Sequence, residues 1–256
     1  MKNMNIDFPN KLTVPALRSL WKEAFGDSDG FIDAFMNEAF SPKRCRCAFA
    51  DGKLCGALYW FDCSFMGERV AYLYAVATAK AHRGKGVASS LMKNTHEYLK
   101  SQGYSIAVLV PGTKELFDFY QKLGYKTCAY VSEINCKASE NSVRVRKIEA
   151  EEYKNLRKKM LPLSSVIQEN ENISFLKTQA EFYTGTDFLL TARKEGNKLF
   201  GAELLGNTKR APEILCALGF AEGKFRTPGE DVPFAMGIRL DEKTRALPSY
   251  FGLAFD

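Results

Sequence analysis

The chain has 256 residues, 46% of them hydrophobic and 26% charged, enough apolar mass to exclude disordered, low-complexity and collagen-like classes. No apolar run approaches the roughly 18 residues that a membrane-spanning helix needs. With 36 Lys and Arg against 30 Asp and Glu, the net charge is +6, which suits a polyanionic small ligand and is too weak and scattered for a nucleic-acid footprint.

The first ten residues, MKNMNIDFPN, lack the apolar core and small-residue cleavage site of a signal peptide. Seven Cys, an odd number without a secretory signal, read as reduced thiols of a cytoplasmic protein. Four lie between Cys45 and Cys63 in a C-x-C-x7-C-x7-C spacing that lacks the C-x2-C knuckle of zinc sites. Cys45 and Cys47 alternate with Arg44 and Arg46, so they read as small strand residues, and no metal is expected.

Residues 11–25 place Leu17, Leu20, Trp21 and Phe25 at helical spacing, with Thr13 as cap and Pro15 in the first turn. Residues 30–40 read as a second short helix. The period then changes to two. CRCAFADGKLCGALYWFDCSF reads as two strands around an Asp51-Gly52 turn, and Gly67-Glu68 marks the next turn. AYLYAVAT (71–78) is apolar enough for a strand buried on both faces. A helix follows over 87–103, with Val87, Leu91, Met92, Thr95 and Leu99 on one face and Gly103 as its stop. SIAVLV (105–110) is another buried strand. Leu116, Phe119, Tyr120 and Leu123 recur at helical spacing before Gly124, and YKTCAYVSEINC closes the series as a strand. KASENS (137–142) reads as a linker. A length prior of one to two domains is thereby divided into 1–137 and 143–256.

The informative segment joins strand 71–78 to helix 87–103. Gly84 and Gly86 flank Lys85 directly before the helix. Glycines permit positive φ and close approach of a ligand to the main chain. Free N–H groups of a first helical turn, with the positive end of the dipole, attract an anion, and Arg83 and Lys85 add charge. The expected ligand is a phosphate or pyrophosphate. The pattern matches neither the P-loop nor the dinucleotide fingerprint.

Residues 71–127 resemble the GNAT superfamily of acyl-CoA-dependent N-acetyltransferases. Arg83-Gly84-Lys85-Gly86-Val87-Ala88 fits the family's [Q/R]-x-x-G-x-[G/A] loop, and FDFYQKLGYK (117–126) resembles its FYEKLGF signature. The order and spacing of the two motifs also agree. One departure is Thr113, where the family often has an Asn that helps hold the cofactor arm. The resemblance implies a mixed-sheet α/β (α+β) fold and direct transfer of an acetyl group from acetyl-CoA to a primary amine. It implies backbone contacts to the pantetheine arm at Val76, Ala77 and Thr78, where the strand splays. Arg83, Gly84, Lys85, Gly86, Val87, Ala88 and Ser89 would then bind the pyrophosphate. Tyr120 matches the Tyr that protonates the departing thiolate. The general base is left open among Glu68, Glu133, His82 and His96, with His82 read as a surface loop residue and His96 as exposed in mid-helix. The implied partners are acetyl-CoA and an amine acceptor, without nucleic acid or membrane, and a homodimer is left open. The alternative is a non-catalytic acyl-CoA-binding or regulatory module on the same fold.

The remaining residues echo the first. KLFGAELLG (198–206) resembles KLCGALYWF (53–61), and ALGFAEGKF (217–225) resembles KLGYKTCAY (122–130), with about 50 residues missing between them. The expectation is a smaller, degenerate GNAT-like half without a CoA loop; an unrelated α/β domain is the alternative. The tail YFGLAFD (250–256) reads as a final edge strand. Asp256 at its end loosely resembles a terminal carboxylate that tandem members of the family use as a base.

Overall fold

A computed structural model describes residues 4–242 and 246–255. The chain forms two compact units. One runs to Leu109 and adds Phe119–Tyr125 and the stretch from Gly237; the other holds Val110–Asp118, Lys126–Met236 and the stretch from Pro248.

The first unit is built on strands β1 (Met4–Asp7), β2 (Cys45–Ala50), β3 (Lys53–Phe65), β4 (Glu68–Thr78) and β5 (Tyr104–Leu109), adjacent in that order. All pairings are antiparallel except β4 with β5, which is parallel. The β2–β3 turn is Asp51-Gly52, with φ of 49° and 76°, the doubly left-handed pair that a tight hairpin demands. The next turn centres on Met66-Gly67 (φ 50° and 84°), one residue earlier than expected. Helices α1 (Val14–Phe25) and α2 (Asp29–Glu38) cover one face, and α3 (Val87–Ser101) covers the other.

Alternation along β3 sorts its aromatic side chains between these layers. Tyr59 packs against Trp21 of α1, with ring centroids 5.3 Å apart, while Trp60 meets Tyr98 of α3 at 6.0 Å. Trp21 also lies 4.7 Å from Phe35 of α2. Cys45 and Cys47 are fully buried on β2, their sulfurs 3.8 Å apart, and all seven Cys are free thiols. Thr13 precedes α1 as expected but does not cap it with its side chain; its hydroxyl bonds Asn10 instead.

Helix α4 (Lys114–Lys122) follows β5; its residues up to Asp118 belong to the second unit and the rest to the first. The second unit then contains β6 (Lys126–Lys137), β7 (Arg146–Ile148), α5 (Ala150–Met160), β8 (Ile167–Gln168) and α6 (Glu171–Gln179). It continues with β9 (Glu181–Thr184), β10 (Phe188–Glu195), β11 (Lys198–Gly206), α7 (Ala211–Leu218) and β12 (Glu222–Pro228). β13 (Val232–Arg239) starts in this unit and passes into the first at Gly237.

The strand order is β6-β12-β11-β10-β9-β7, with β11 and β12 parallel. Helix α7 seals one face over Phe188, Leu190, Leu199, Leu204 and Phe225. Toward α5, the Arg157 guanidinium pairs with the Glu203 carboxylate of β11 at 2.6 and 2.9 Å, both side chains almost wholly buried. Tyr250 donates to Glu203 at 3.0 Å and Gln168 donates to the Leu253 carbonyl at 2.8 Å, which anchors the tail. The expected edge strand is absent there. Residues 251–255 are buried but irregular, and Tyr250 makes only one isolated bridge, to Ser165. Asp256 lies outside the described residues. β1 and β13 were not anticipated. No described helix is long and apolar enough to cross a membrane.

Candidate active site

Strand β4 pairs with β5 only as far as Tyr72, opposite Val108. The six residues Leu73–Thr78 run on with no strand on the β5 side, while the other edge stays paired to β3 through Thr78 and Gly56. Within this stretch β4 carries one extra residue. Tyr74 faces Tyr59 and Ala77 faces Ala57, so Ala75 and Val76 together oppose Leu58. Ala75 takes up the bulge at φ 49°, a left-handed conformation that costs a non-glycine residue about 1 kcal/mol. The divergence therefore begins four residues before the expected Ala77-Thr78, and its free backbone edge includes Val76, Ala77 and Thr78.

Beyond Thr78 the chain turns through Lys80–His82 and enters α3. Gly84 and Gly86 stand at φ 71° and 76°, and nothing lies within 4 Å of where a Cβ would project from either. Gly86 caps α3 without a side chain. The first intrahelical bond runs from Ser90 N–H to the Gly86 carbonyl at 3.0 Å, so the N–H groups of Val87, Ala88 and Ser89 have no intrahelical acceptor. No acidic residue occupies this first turn. Close packing sets where the helix begins: a Cβ on Gly56 would stand 2.8 Å from Val87 Cγ1. Arg83 and Lys85 are exposed, and both fold back onto the loop. Arg83 Nε donates to the Thr78 carbonyl at 3.2 Å and Lys85 Nζ to the Ala81 carbonyl at 2.8 Å. Thr78 Oγ1 and His82 Nδ1 are buried without a partner among the described residues.

Tyr120 lies in the part of α4 that belongs to the first unit. Its ring packs edge-on against Phe119 and Tyr125, with centroids 5.1 and 5.8 Å away. The Tyr120 carbonyl accepts the Tyr125 N–H at 3.1 Å, and the Tyr125 hydroxyl bonds His96 Nε2 of α3 at 2.7 Å. Tyr120 is thereby tied to the helix that starts at the glycine loop. Burial pushes its phenol up to about 12.

Residues 6–128 match the family model described as an acetyltransferase (GNAT) domain. They are a GNAT acetyltransferase domain. The chain is an acyltransferase. It shares its fold with a GCN5-related N-acetyltransferase from Kribbella flavida, at 16% identity over 93% of this chain and 72% of that one, TM-score 0.72. A GCN5-related N-acetyltransferase from Anabaena variabilis is similar at 15% identity, 93% and 73% coverage, TM-score 0.75. A chain from Pyrococcus horikoshii described as a putative acetyltransferase covers 95% of its own length and 99% of this one, at 13% identity and TM-score 0.63. No curated protein matches.

The candidate base carboxylates are otherwise engaged. Glu68 accepts from Ser105 at 2.6 Å and opens β4 at the end opposite the loop, about 30 Å along the strand from Thr78. Glu133 lies on β6 of the second unit, paired with Lys224 at 2.8 Å. His96 is half-buried, not exposed: it bonds Tyr125, and burial lowers its imidazole to about 4. His82 is also half-buried rather than free on the surface. The Glu115 carboxylate is held below the usual range first by its own backbone N–H and then by the side chain of Thr113, the residue in the place of the family's Asn. Two contributors were not read from the sequence. The Ala75 bulge has no signal in residue type, since alanine is an ordinary strand residue at that spacing. The His96–Tyr125 bond joins residues 29 apart, and only the packing of α3 reveals it.

Proposed function

We propose that this protein transfers an acetyl group from acetyl-CoA directly to a primary amine. The observation that carries the reading is the divergence of β4 from β5 leading straight into the open Gly84/Gly86 loop and the unfilled first turn of α3. The residues fit such a co-substrate. The orphaned Thr78 Oγ1 and His82 Nδ1 are buried polar atoms that a bound polar group would satisfy, and the space beside both glycines is free.

Acetyl-CoA supplies an activated thioester. The free edge of Val76, Ala77 and Thr78 aligns its pantetheine arm and offers a backbone N–H to the developing oxyanion. The N–H groups of Gly84–Ser89, with Arg83 and Lys85, hold its pyrophosphate. Arg83 and Lys85 would exchange their loop carbonyls for phosphate oxygens. Tyr120 donates its proton to the departing thiolate. Burial keeps that phenol protonated at neutral pH, the state an acid requires, but widens the gap to a thiol pKa of about 8.5. Proton transfer must therefore accompany C–S cleavage. Because the phenol titrates near 12, Tyr120 contributes no alkaline limb to the rate below about pH 11. A fall in kcat near pH 9–10 in wild type that disappears in Tyr120→Phe would contradict this.

We also read residues 143–256 as a smaller repeat of residues 1–137 without a CoA loop. In its favour, β10, β11, α7 and β12 repeat the hairpin and parallel crossover of β3, β4, α3 and β5. This topology aligns KLFGAELLG with β4, rather than with the KLCGALYWF of β3 that the letters suggest.

Calorimetry with acetyl-CoA tests the first step, with micromolar binding expected; none at that level removes the reading. Tyr120→Phe then should leave the acetyl-CoA Kd unchanged and lower kcat by about 10²-fold or more. Unaltered turnover would remove Tyr120 from the mechanism. Thiol release measured over polyamines, aminoglycosides, amino acids and peptides with a free N-terminus or lysine identifies the acceptor.

A further inference from the structure

The loop that turns β4 into α3 holds its shape mostly by local bonds. His82 N–H reaches the Ala79 carbonyl at 2.8 Å, Arg83 N–H reaches Lys80 at 3.3 Å, and Arg83 Nε and Lys85 Nζ cap Thr78 and Ala81. Two bonds tie it to the rest of the unit. Ala79 N–H donates to Cys55 of β3 at 2.9 Å, and Lys80 N–H donates to the Glu23 carboxylate of α1, a residue 57 positions earlier. The second unit shows what such a turn otherwise uses. There the turn Thr208–Arg210 is capped locally, the Asn207 side chain accepting from Lys209 N–H. The turn at Lys80–His82 begins after Ala79, which has no side chain to cap with. Glu23 takes that role from a distance.

A carboxylate beside a site that takes polyanions is electrostatically unfavourable, so its presence calls for a compensating task. The neighbouring cations do not explain it. Arg18 and Lys22 of α1 are paired with Asp33 and Asp29 of α2, at 2.5 and 2.8 Å, and Glu23 makes no ion pair among the described residues. Among the described residues its one hydrogen-bond partner is the Lys80 N–H.

We propose that Glu23 is a positioning residue: by fixing the Lys80 backbone it presets the glycine loop and the first turn of α3 to receive the pyrophosphate of acetyl-CoA. This rests on the proposed function. The acceptor oxygen of Glu23 does the positioning, and its charge opposes binding; the two contributions separate by substitution. Glu23→Ala removes both. Glu23→Gln keeps a carbonyl acceptor and removes the charge.

The test is calorimetric Kd and steady-state kinetics for acetyl-CoA on the full chain, with thermal melts to confirm folding. Glu23→Ala is expected to raise Kd and the acetyl-CoA KM about five- to tenfold with kcat within about twofold of wild type. Glu23→Gln is expected to bind as tightly as wild type or more tightly. Glu23→Ala binding as well as wild type or more tightly overturns the proposal, because loss of the acceptor would then carry no cost. Equal weakening in both variants overturns it too, because the amide retains the acceptor. Wild type that binds no acetyl-CoA removes the functional reading itself, an outcome distinct from either.

Discussion

The two units make the same turn with opposite chemistry. In each, the second strand of an antiparallel hairpin carries one extra residue, pairs in parallel with a later strand, and hands the chain through a short turn to a helix. In the first unit that turn is open. Gly84 and Gly86 have free space around them, the first turn of α3 contains no acid, and two cations flank it. In the second it is closed. A Cβ on Gly206 would stand 2.3 Å from the Asp187 carbonyl oxygen. Pro212 and Glu213 fill the first turn of α7, and Arg210 is held by Asp187 and Glu213 at 3.3 and 2.7 Å. A carboxylate already neutralises that helix end. The bulges differ likewise. In the first unit the strained Ala75 lies on a free strand edge, whereas Ala202 of β11 is followed by Glu203, which is locked to Arg157. One topology thus yields an open turn, the proposed anion cradle, or a structural clamp according to a handful of side chains.

The sharpest break of this comparison removes the clamp. Glu203→Ala leaves Arg157 buried and unpaired, which costs about 3–5 kcal/mol. Chemical denaturation should show that loss, and it should be accompanied by faster proteolysis of the tail that Tyr250 anchors through Glu203. A cost below about 1 kcal/mol would mean that the pair does not clamp the unit.

Acid separates the units next. His96, in the first unit, is held near 4 by burial against an ordinary value of 6.5. A depressed histidine stabilises the fold fully above its unfolded pKa, and that contribution is lost as pH falls from about 6.5 toward 4. The expected loss is on the order of 2–3 kcal/mol. His96→Gln should flatten this part of the stability–pH curve, while an unchanged slope would place the acid sensitivity elsewhere.

Much of the first unit was legible because its signals are local. Asp51-Gly52 dictates a tight turn, Leu91, Thr95 and Leu99 mark a buried helix face, and Arg83–Ala88 carries its chemistry in consecutive residues. The rest depends on partners that the chain supplies late. β1 is four residues whose alternation is too short to register, and β13 follows a proline and a charged loop. The tail, rich in aromatics, suggested a strand, yet its polar groups find Ser164, Gln168 and Glu203 instead of a ladder. For the second unit the identities of letters pointed to β3, while the parallel pairing of Leu199 with Gly223 points to β4. Pairing direction is a property of tertiary structure, and no short motif in Lys198–Gly206 encodes it.

The smallest expected effects come from one methyl group placed at matching turns. Gly86→Ala puts a side chain at φ 76° into open space, so the fold pays only the left-handed strain of about 1–2 kcal/mol. On the proposed function the methyl projects where the backbone would approach a phosphate, so the loss should appear mainly as a weaker acetyl-CoA Kd. Gly206→Ala meets the Asp187 backbone and the Met160 methyl, neither of which has room, so its loss should appear in the melting temperature and leave acetyl-CoA affinity unchanged. If Gly206→Ala weakened acetyl-CoA as much as Gly86→Ala, the second turn would share in the site and the contrast between open and closed would fail. If Gly86→Ala lowered stability alone, the glycine would serve the helix cap, and the cradle would have to be sought in the N–H groups of Val87–Ser89.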